Sequence, residues 1–274
     1  MPDQKPQLPA WARMPINRCN LPAVILGSLT FQAHPVSLYL DGVREFHKAL
    51  FEKLNKINDR EQRAAHFMDY MTVQFRLHQM EDAGLSEGDE NKRIKADYLH
   101  VLRGWLFDSD SRDGATLKGW AESRFGLRTR FHKGNFGDYT GVEYQRYLQE
   151  CTRGLYATNA LEAQLDLLYT FCQYELSLQM KNVQHMMLYR GVNNLDQFDI
   201  LQVQEKGHRV MVLNNLNSFT RNRERADEFG DHILEVNTPR QKILFYPDLL
   251  PGKFKGEEEV IVLGGSYEAL IDAM

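Results

Sequence analysis

Proline is absent from residues 36 to 238; six of the nine prolines fall in the first 35 residues, and the others are Pro239, Pro247 and Pro251. Because proline breaks helix interiors and sheet ladders, that long stretch is free to form regular structure. Cysteine is scarce: Cys19, Cys151 and Cys172 are odd in number and far apart. A disulfide framework and a C-x-x-C metal site are thereby excluded, and reduced thiols are expected. No G-x-G-x-x-G follows a strand-like run, which excludes the Rossmann mode of dinucleotide binding. Walker A and H-E-x-x-H sequences are also missing, and the nine histidines are scattered without metal-ligand spacing, so no metal is expected. A formal charge of −4 and a pI near 6.2 argue against a general nucleic-acid binder. The longest apolar run, 21–31, is interrupted by Pro22 and Gly27 and is too short to span a bilayer. The start, Met1-Pro2-Asp3-Gln4-Lys5-Pro6, has no apolar signal-peptide core. A soluble, cytoplasmic protein without internal repeats is expected.

What is present changes character near residue 181. The proline-rich residues 1–35 read as an extended arm on the surface rather than a helix. Region 36–181 reads as mainly helical. Apolar stripes at three- and four-residue spacing run through Val43, Phe46, Leu50, Leu54 and Ile57, through Ile94, Tyr98, Val101, Leu102 and Trp105, and through Leu161, Leu165, Leu168, Cys172 and Leu176. A further helix is expected at 61–81, with Phe67, Met71, Phe75 and Met80 near its apolar side and breaks following at 83–84, 86–89 and 108–114. Residues 126–141 interleave glycine with basic and aromatic residues, and read as an ordered loop or a partner-docking surface. After Asn182 the period becomes strand-like. Strands are expected at 184–190, 208–213, 231–236, 242–246 and 258–263, with a short helix at 223–229 and a strand-end turn at Gly264-Gly265. The fold class is therefore α+β: an N-terminal arm, a helical region 36–181, and a mixed, largely antiparallel β-sheet lobe at 182–274.

Three fragments of that lobe carry chemistry: Leu188-Tyr189-Arg190-Gly191, Ser218-Phe219-Thr220, and Glu257-Glu258-Glu259-Val260-Ile261-Val262. Ser218 follows Arg190 by 28 positions (218 − 190), and Glu259 follows Ser218 by 41 (259 − 218). Each fragment alone is ordinary: a surface arginine, a polar-edged strand, a solvated acidic loop. As an ordered set at strand edges they suit a sugar-transfer site for a pyrophosphate-bearing nucleotide. A planar guanidinium grips phosphate oxygens through paired hydrogen bonds. One carboxylate can stabilise an oxocarbenium ion, and a second can orient the incoming nucleophile. On a strand, Glu257 and Glu259 would share a face while Glu258 turns away.

With these residues in place, the lobe resembles the Arg-Ser-Glu class of mono-ADP-ribosyltransferases. Nearly the whole chain is similar to the NAD–dinitrogenase reductase ADP-ribosyltransferases of nitrogen-fixing bacteria. The resemblance implies that Arg190 contacts the NAD phosphates and that the Gly191 backbone lies beside the nicotinamide amide. It implies that Ser218 fixes the catalytic Glu259, which holds the ribose hydroxyl and stabilises the oxocarbenium ion. Glu257 would position the target arginine. The family pattern favours a small or polar residue where this chain has Phe219, so Phe219 either packs inward or stacks on the nicotinamide. The loop 246–256 resembles the family's substrate-reading loop, with Phe254 as the candidate contact to the target protein. The resemblance further implies the nitrogenase iron protein as substrate, switched off by modification so that nitrogen fixation is regulated, and control by a PII-type signalling protein.

A guanidinium, with a pKa above about 12, needs a carboxylate to orient and partly deprotonate it, so Glu257 favours arginine as acceptor. Two alternatives stand beside this reading. An NAD glycohydrolase would use water and would need only Glu259. A non-catalytic docking module on the same fold would have no use for an intact Arg190, Ser218 and Glu259.

Overall fold

The computed structural model describes residues 6–77, 97–155 and 160–273. Four short helices open the chain: α1 Ala23–Leu26, α2 Leu29–Ala33, α3 Val43–Phe46 and α4 Lys48–Leu54. Longer ones follow: α5 Arg60–Gln74, α6 Tyr98–Phe107, α7 Arg112–Phe125, α8 Val142–Leu155 and α9 Leu161–Gln179. Then come β1 His185–Val192, β2 Asp199–Val203, β3 His208–Thr220, α10 Arg223–Asp227, β4 His232–Pro239, β5 Ile243–Phe245 and β6 Glu259–Ala273. Apart from α10, these helices precede the sheet, as the α+β reading expects. The expected helix end at 78–81, with His78 and Met80, lies outside the described residues, as do Ile94 and the breaks at 83–84 and 86–89.

Polar caps explain where the helices begin. Asp59, Asp97 and Ser111 accept from Gln62, His100 and Gly114 backbone N–H groups, satisfying donors that the first turn leaves open. Gly126, at φ 68°, ends α7 in the left-handed conformation that a side chain disfavours.

The N-terminal arm is not simply extended. A 3-10 turn at Ala10–Ala12, α1 and α2 lie within it, and Leu8, Leu26 and Phe31 are buried in the main core. Pro9 and Pro22 stand at the N-caps of such turns. There no ladder N–H is lost, so proline punctuates these helices instead of forbidding them.

The strands form one antiparallel sheet in the order β2-β3-β1-β4-β6-β5, with β3 also pairing β6. β3 and β6 run well past their expected ends, and β2 was not anticipated. Gly264-Gly265 is not a strand-end turn but lies inside β6. It faces an irregularity between Leu213 and Leu216, where β3 carries one extra residue. A Cβ on Gly264 would sit 1.7 Å from the Asn214 carbonyl oxygen, so only glycine allows the two backbones to approach there. One apolar cluster runs from Leu8 through α5, α6, α7 and α9 to β6, joining the helices to the sheet.

Candidate functional site

Strand register assembles the three fragments. β1 and β3 align Tyr189 with Thr220, while β3 and β6 align Ser218 with Ile261 and Thr220 with Glu259. Arg190, Ser218 and Glu259 thus stand on three neighbouring strands although they are far apart in sequence. Ser218 Oγ donates to Glu259 Oε1. Arg190 Nη1 donates to the Ser218 carbonyl at 3.1 Å, and its buried Nε has no protein partner among the described residues.

A fourth residue joins them from the helical half. Trp105 of α6 donates its indole N–H to Glu259 Oε1 at 2.7 Å and, more weakly, to Ser218 Oγ at 3.2 Å. Trp105 was read from its spacing as core, and it is only 2 % exposed. Helical periodicity finds a buried face, but nothing in linear order says that a buried indole will meet a strand more than a hundred positions later.

Burial raises the Glu259 carboxyl above its ordinary value, opposed by the hydrogen bonds from Ser218 and Trp105 and by the Arg190 charge. Burial likewise lowers Arg190, opposed by the charges of Glu259 and Asp110. A cleft of about 1030 Å³ is lined by Arg190, Gly191, Ser218 and Glu259. A second hollow of about 610 Å³ shares Ser109, Arg190 and Ser218 with it and adds Lys118 and Arg130. Lys118, from α7, is nearly fully buried and donates to Asp110 at 2.8 Å. A lone lysine on a helix between Leu117 and Trp120 is a faint signal in the sequence.

Several expected placements need correction. Glu257 is not on the strand: β6 begins at Glu259, and Glu257 sits exposed in the preceding loop. Glu258 does not turn away, because Glu257, Glu258 and Glu259 all line the cleft. The alternation of a pleated strand does not extend upstream of its first residue. Phe254 is not a free surface contact. It is 8 % exposed and packs edge-on against Phe245, ring centroids 5.3 Å apart, since an aromatic ring in a short loop gains more by burial than by exposure. Phe219 is 3 % exposed and belongs to the core cluster, while its segment borders the cleft, so it packs inward.

Gly191 has a packing reason to be glycine: a Cβ would lie 2.0 Å from the Ala226 carbonyl oxygen of α10. The basic cluster at 221–225 is partly self-satisfied, with Arg223 paired to Glu235 and Asp272 and Arg225 to Glu228. Residues 126–141 form the loop between α7 and α8, where Arg130 lies 3.8 Å over the Trp11 ring and pairs with Asp199. Among the described residues no group of His, Cys, Asp and Glu is placed to hold a metal ion, and no helix is long and apolar enough to cross a membrane.

Comparison with known proteins places this geometry. The sequence model described as Dinitrogenase reductase ADP-ribosyltransferase matches residues 16–271. The chain is 36 % identical over 254 residues to the NAD(+)–dinitrogen-reductase ADP-D-ribosyltransferase of Rhodospirillum rubrum, covering 92 % of each sequence. No solved structure matches it. A match over nearly the whole length, including the helical half, means that the chain belongs to the dinitrogenase reductase ADP-ribosyltransferase family.

Proposed function

We propose that this protein transfers ADP-ribose from NAD to an arginine of dinitrogenase reductase, the nitrogenase iron protein, switching it off. The observation that carries the reading is the convergence of Arg190, Ser218 and Glu259 on one cleft in a member of this family. Arg190 holds the pyrophosphate; with Nη1 on the Ser218 carbonyl, its unpartnered Nε leaves donor capacity for phosphate oxygens. Ser218 fixes Glu259, and the carboxylate holds the ribose hydroxyl as nicotinamide leaves and positive charge grows on the ribose carbon. The bond from that carbon to nicotinamide breaks with its electron pair going to nicotinamide. The acceptor guanidinium nitrogen then bonds the same carbon and gives up its proton.

Glu257, exposed at the cleft mouth, positions the acceptor guanidinium and takes that proton, and Gly191 lends its backbone to the nicotinamide amide. Phe219 backs the nicotinamide pocket from the core side, and Phe254 shapes the loop that meets the target. Residues 182–274 act as the catalytic lobe and 36–181 as its support. A cytoplasmic setting fits three buried, unpaired thiols. The family resemblance also supports a PII-type signalling protein as regulator.

The test uses labelled NAD with the iron protein. Glu259→Gln should abolish labelling and nicotinamide release by at least about 10²-fold. Glu257→Gln should lower transfer far more than it lowers NAD hydrolysis. Wild-type labelling by Glu259→Gln would remove Glu259 from the centre, and equal losses of transfer and hydrolysis for Glu257→Gln would remove the division of labour.

A further inference from the structure

The catalytic carboxylate is held from two directions. Ser218 reaches it along the sheet, and the Trp105 indole reaches it from α6. Both donors fall on Oε1, which leaves Oε2 for a ligand. The three groups form a closed triangle, because the Trp105 N–H is shared with Ser218 Oγ at 3.2 Å. A carboxylate so restrained loses its freedom to rotate about its last bond, and an indole N–H can donate but never accept.

The helix carrying the indole is itself tightly docked. A Cβ on Gly104 would lie 2.2 Å from Asp113 Oδ2, so α6 and α7 come close at the residue preceding Trp105. The ammonium of Lys118, on α7, lies 5.7 Å from the centroid of the Trp105 ring. Packing on both sides thus sets the indole's position before any ligand arrives.

We propose that Trp105 is a positioning residue for the reaction, supplied by the helical half, which orients Glu259 through its indole N–H. The inference rests on the reading of Glu259 as the carboxylate that serves the ribose. It makes the helical half a working part of the active centre: anything that shifts α6 against the sheet shifts the carboxylate. The charged groups around Glu259 are Arg190 on β1 and Glu257 in the preceding loop, with Asp110 and Lys118 lying near Arg190 and Trp105 respectively. Trp105 contributes a neutral donor among them.

The experiment has two arms. In the first, Trp105→Phe keeps the ring and removes the donor. NAD hydrolysis kcat should fall about ten- to hundred-fold, as for loss of one hydrogen bond to a charged group, with KM for NAD changed less than threefold. The N–H bond favours the ionised carboxylate, so its loss raises the Glu259 pKa and should move the acid limb of the kcat profile to higher pH. Trp105→His, which retains a ring N–H, should recover part of the rate. A Trp105→Phe protein with wild-type kcat and an unmoved acid limb, losing only thermal stability, would show a merely structural tryptophan and overturn the proposal.

The second arm needs no Trp105 variant and no activity. The chain has three tryptophans, so the indole N–H signals of 15N-labelled wild-type protein are few. One of them, assigned to Trp105 by eliminating Trp11 and Trp120, should titrate with pH and lose that titration in Glu259→Gln. A Trp105 signal indifferent to both refutes the contact itself. If the titration is present but the protein releases no nicotinamide with any acceptor, the functional reading fails and the contact survives.

Discussion

Two arginines, both drawn into the protein, show how differently the helical half and the sheet use charge. Arg63 on α5 makes a two-pronged contact with Glu175 on α9, at 2.6 and 2.8 Å, and its remaining nitrogen donates to the Ile57 and Asn58 carbonyls. Every arm of that guanidinium is occupied. Arg190 on β1 makes one bond, to the Ser218 carbonyl, and its Nε has none among the described residues. A buried donor without a partner costs free energy, and Arg190 bears that cost beside the cleft its side chain lines. The first arginine ties two helices together, whereas the second is held ready at the edge of a cleft.

If that contrast is right, the two arginines should fail differently. Arg63→Met leaves Glu175 buried and alone, and should lower the unfolding free energy by about 3–5 kcal/mol while activity per folded molecule stays near wild type. Denaturant titration alongside nicotinamide release measures both. Arg190→Met should do the reverse, lowering kcat/KM for NAD by roughly 100-fold with little loss of stability, since Glu259 can take up a proton once its cation has gone. Should Arg190→Met unfold the protein as readily as Arg63→Met, the distinction collapses.

A further test concerns a cation with no carboxylate partner among the described residues. Lys242 is fully buried, donates to the Gly264 carbonyl at 3.0 Å and lies 4.2 Å from the Tyr267 ring centroid. Burial lowers its pKa from 10.5 to about 7. The folded value lies below the unfolded one, so the stability this residue contributes is present above pH 10.5 and is lost as pH falls towards 7. Lys242→Met should therefore be more stabilising at pH 7 than above pH 10.5, by several kcal/mol (on the order of 4–5), and the gain should shrink as pH rises through 10. A gain that stays constant over that range would mean the amine is not the cause.

Part of the site is legible in linear order, for a physical reason. Arg190 and Glu259 lie at or near the ends of runs whose apolar pattern marks a strand, whereas Ser218 falls beyond 213, where the alternation of β3 is expected to stop; the order of the three along the chain carries the family. The helical half was legible in outline from its stripe at 161–176, because burying one face of a helix leaves a 3.6-residue trace, whereas the stripe at 43–57 divides into α3 and α4 at His47, leaves Phe46 76 % exposed and ends before Ile57. The ends of β3 and β6 were not legible. Asn214-Asn215 and Gly264-Gly265 break the alternation, and each pair looks like a turn until the strands are seen to bulge around one another. Glu257 misled for the opposite reason: period-two reasoning is sound only within a strand, and β6 begins two residues later.

Linear order alone was therefore enough for the residue types of the centre, the change from helices to strands, and arginine as the expected acceptor. Only the tertiary structure decided that Phe254 packs under its own loop, that Arg63 is satisfied where Arg190 is not, and that Trp105 reaches Glu259 across more than a hundred positions. Local pattern reports which face of an element avoids water. Which other element covers that face, and which polar atoms meet there, depends on three-dimensional packing, and that packing brings α6 to the Glu259 carboxylate.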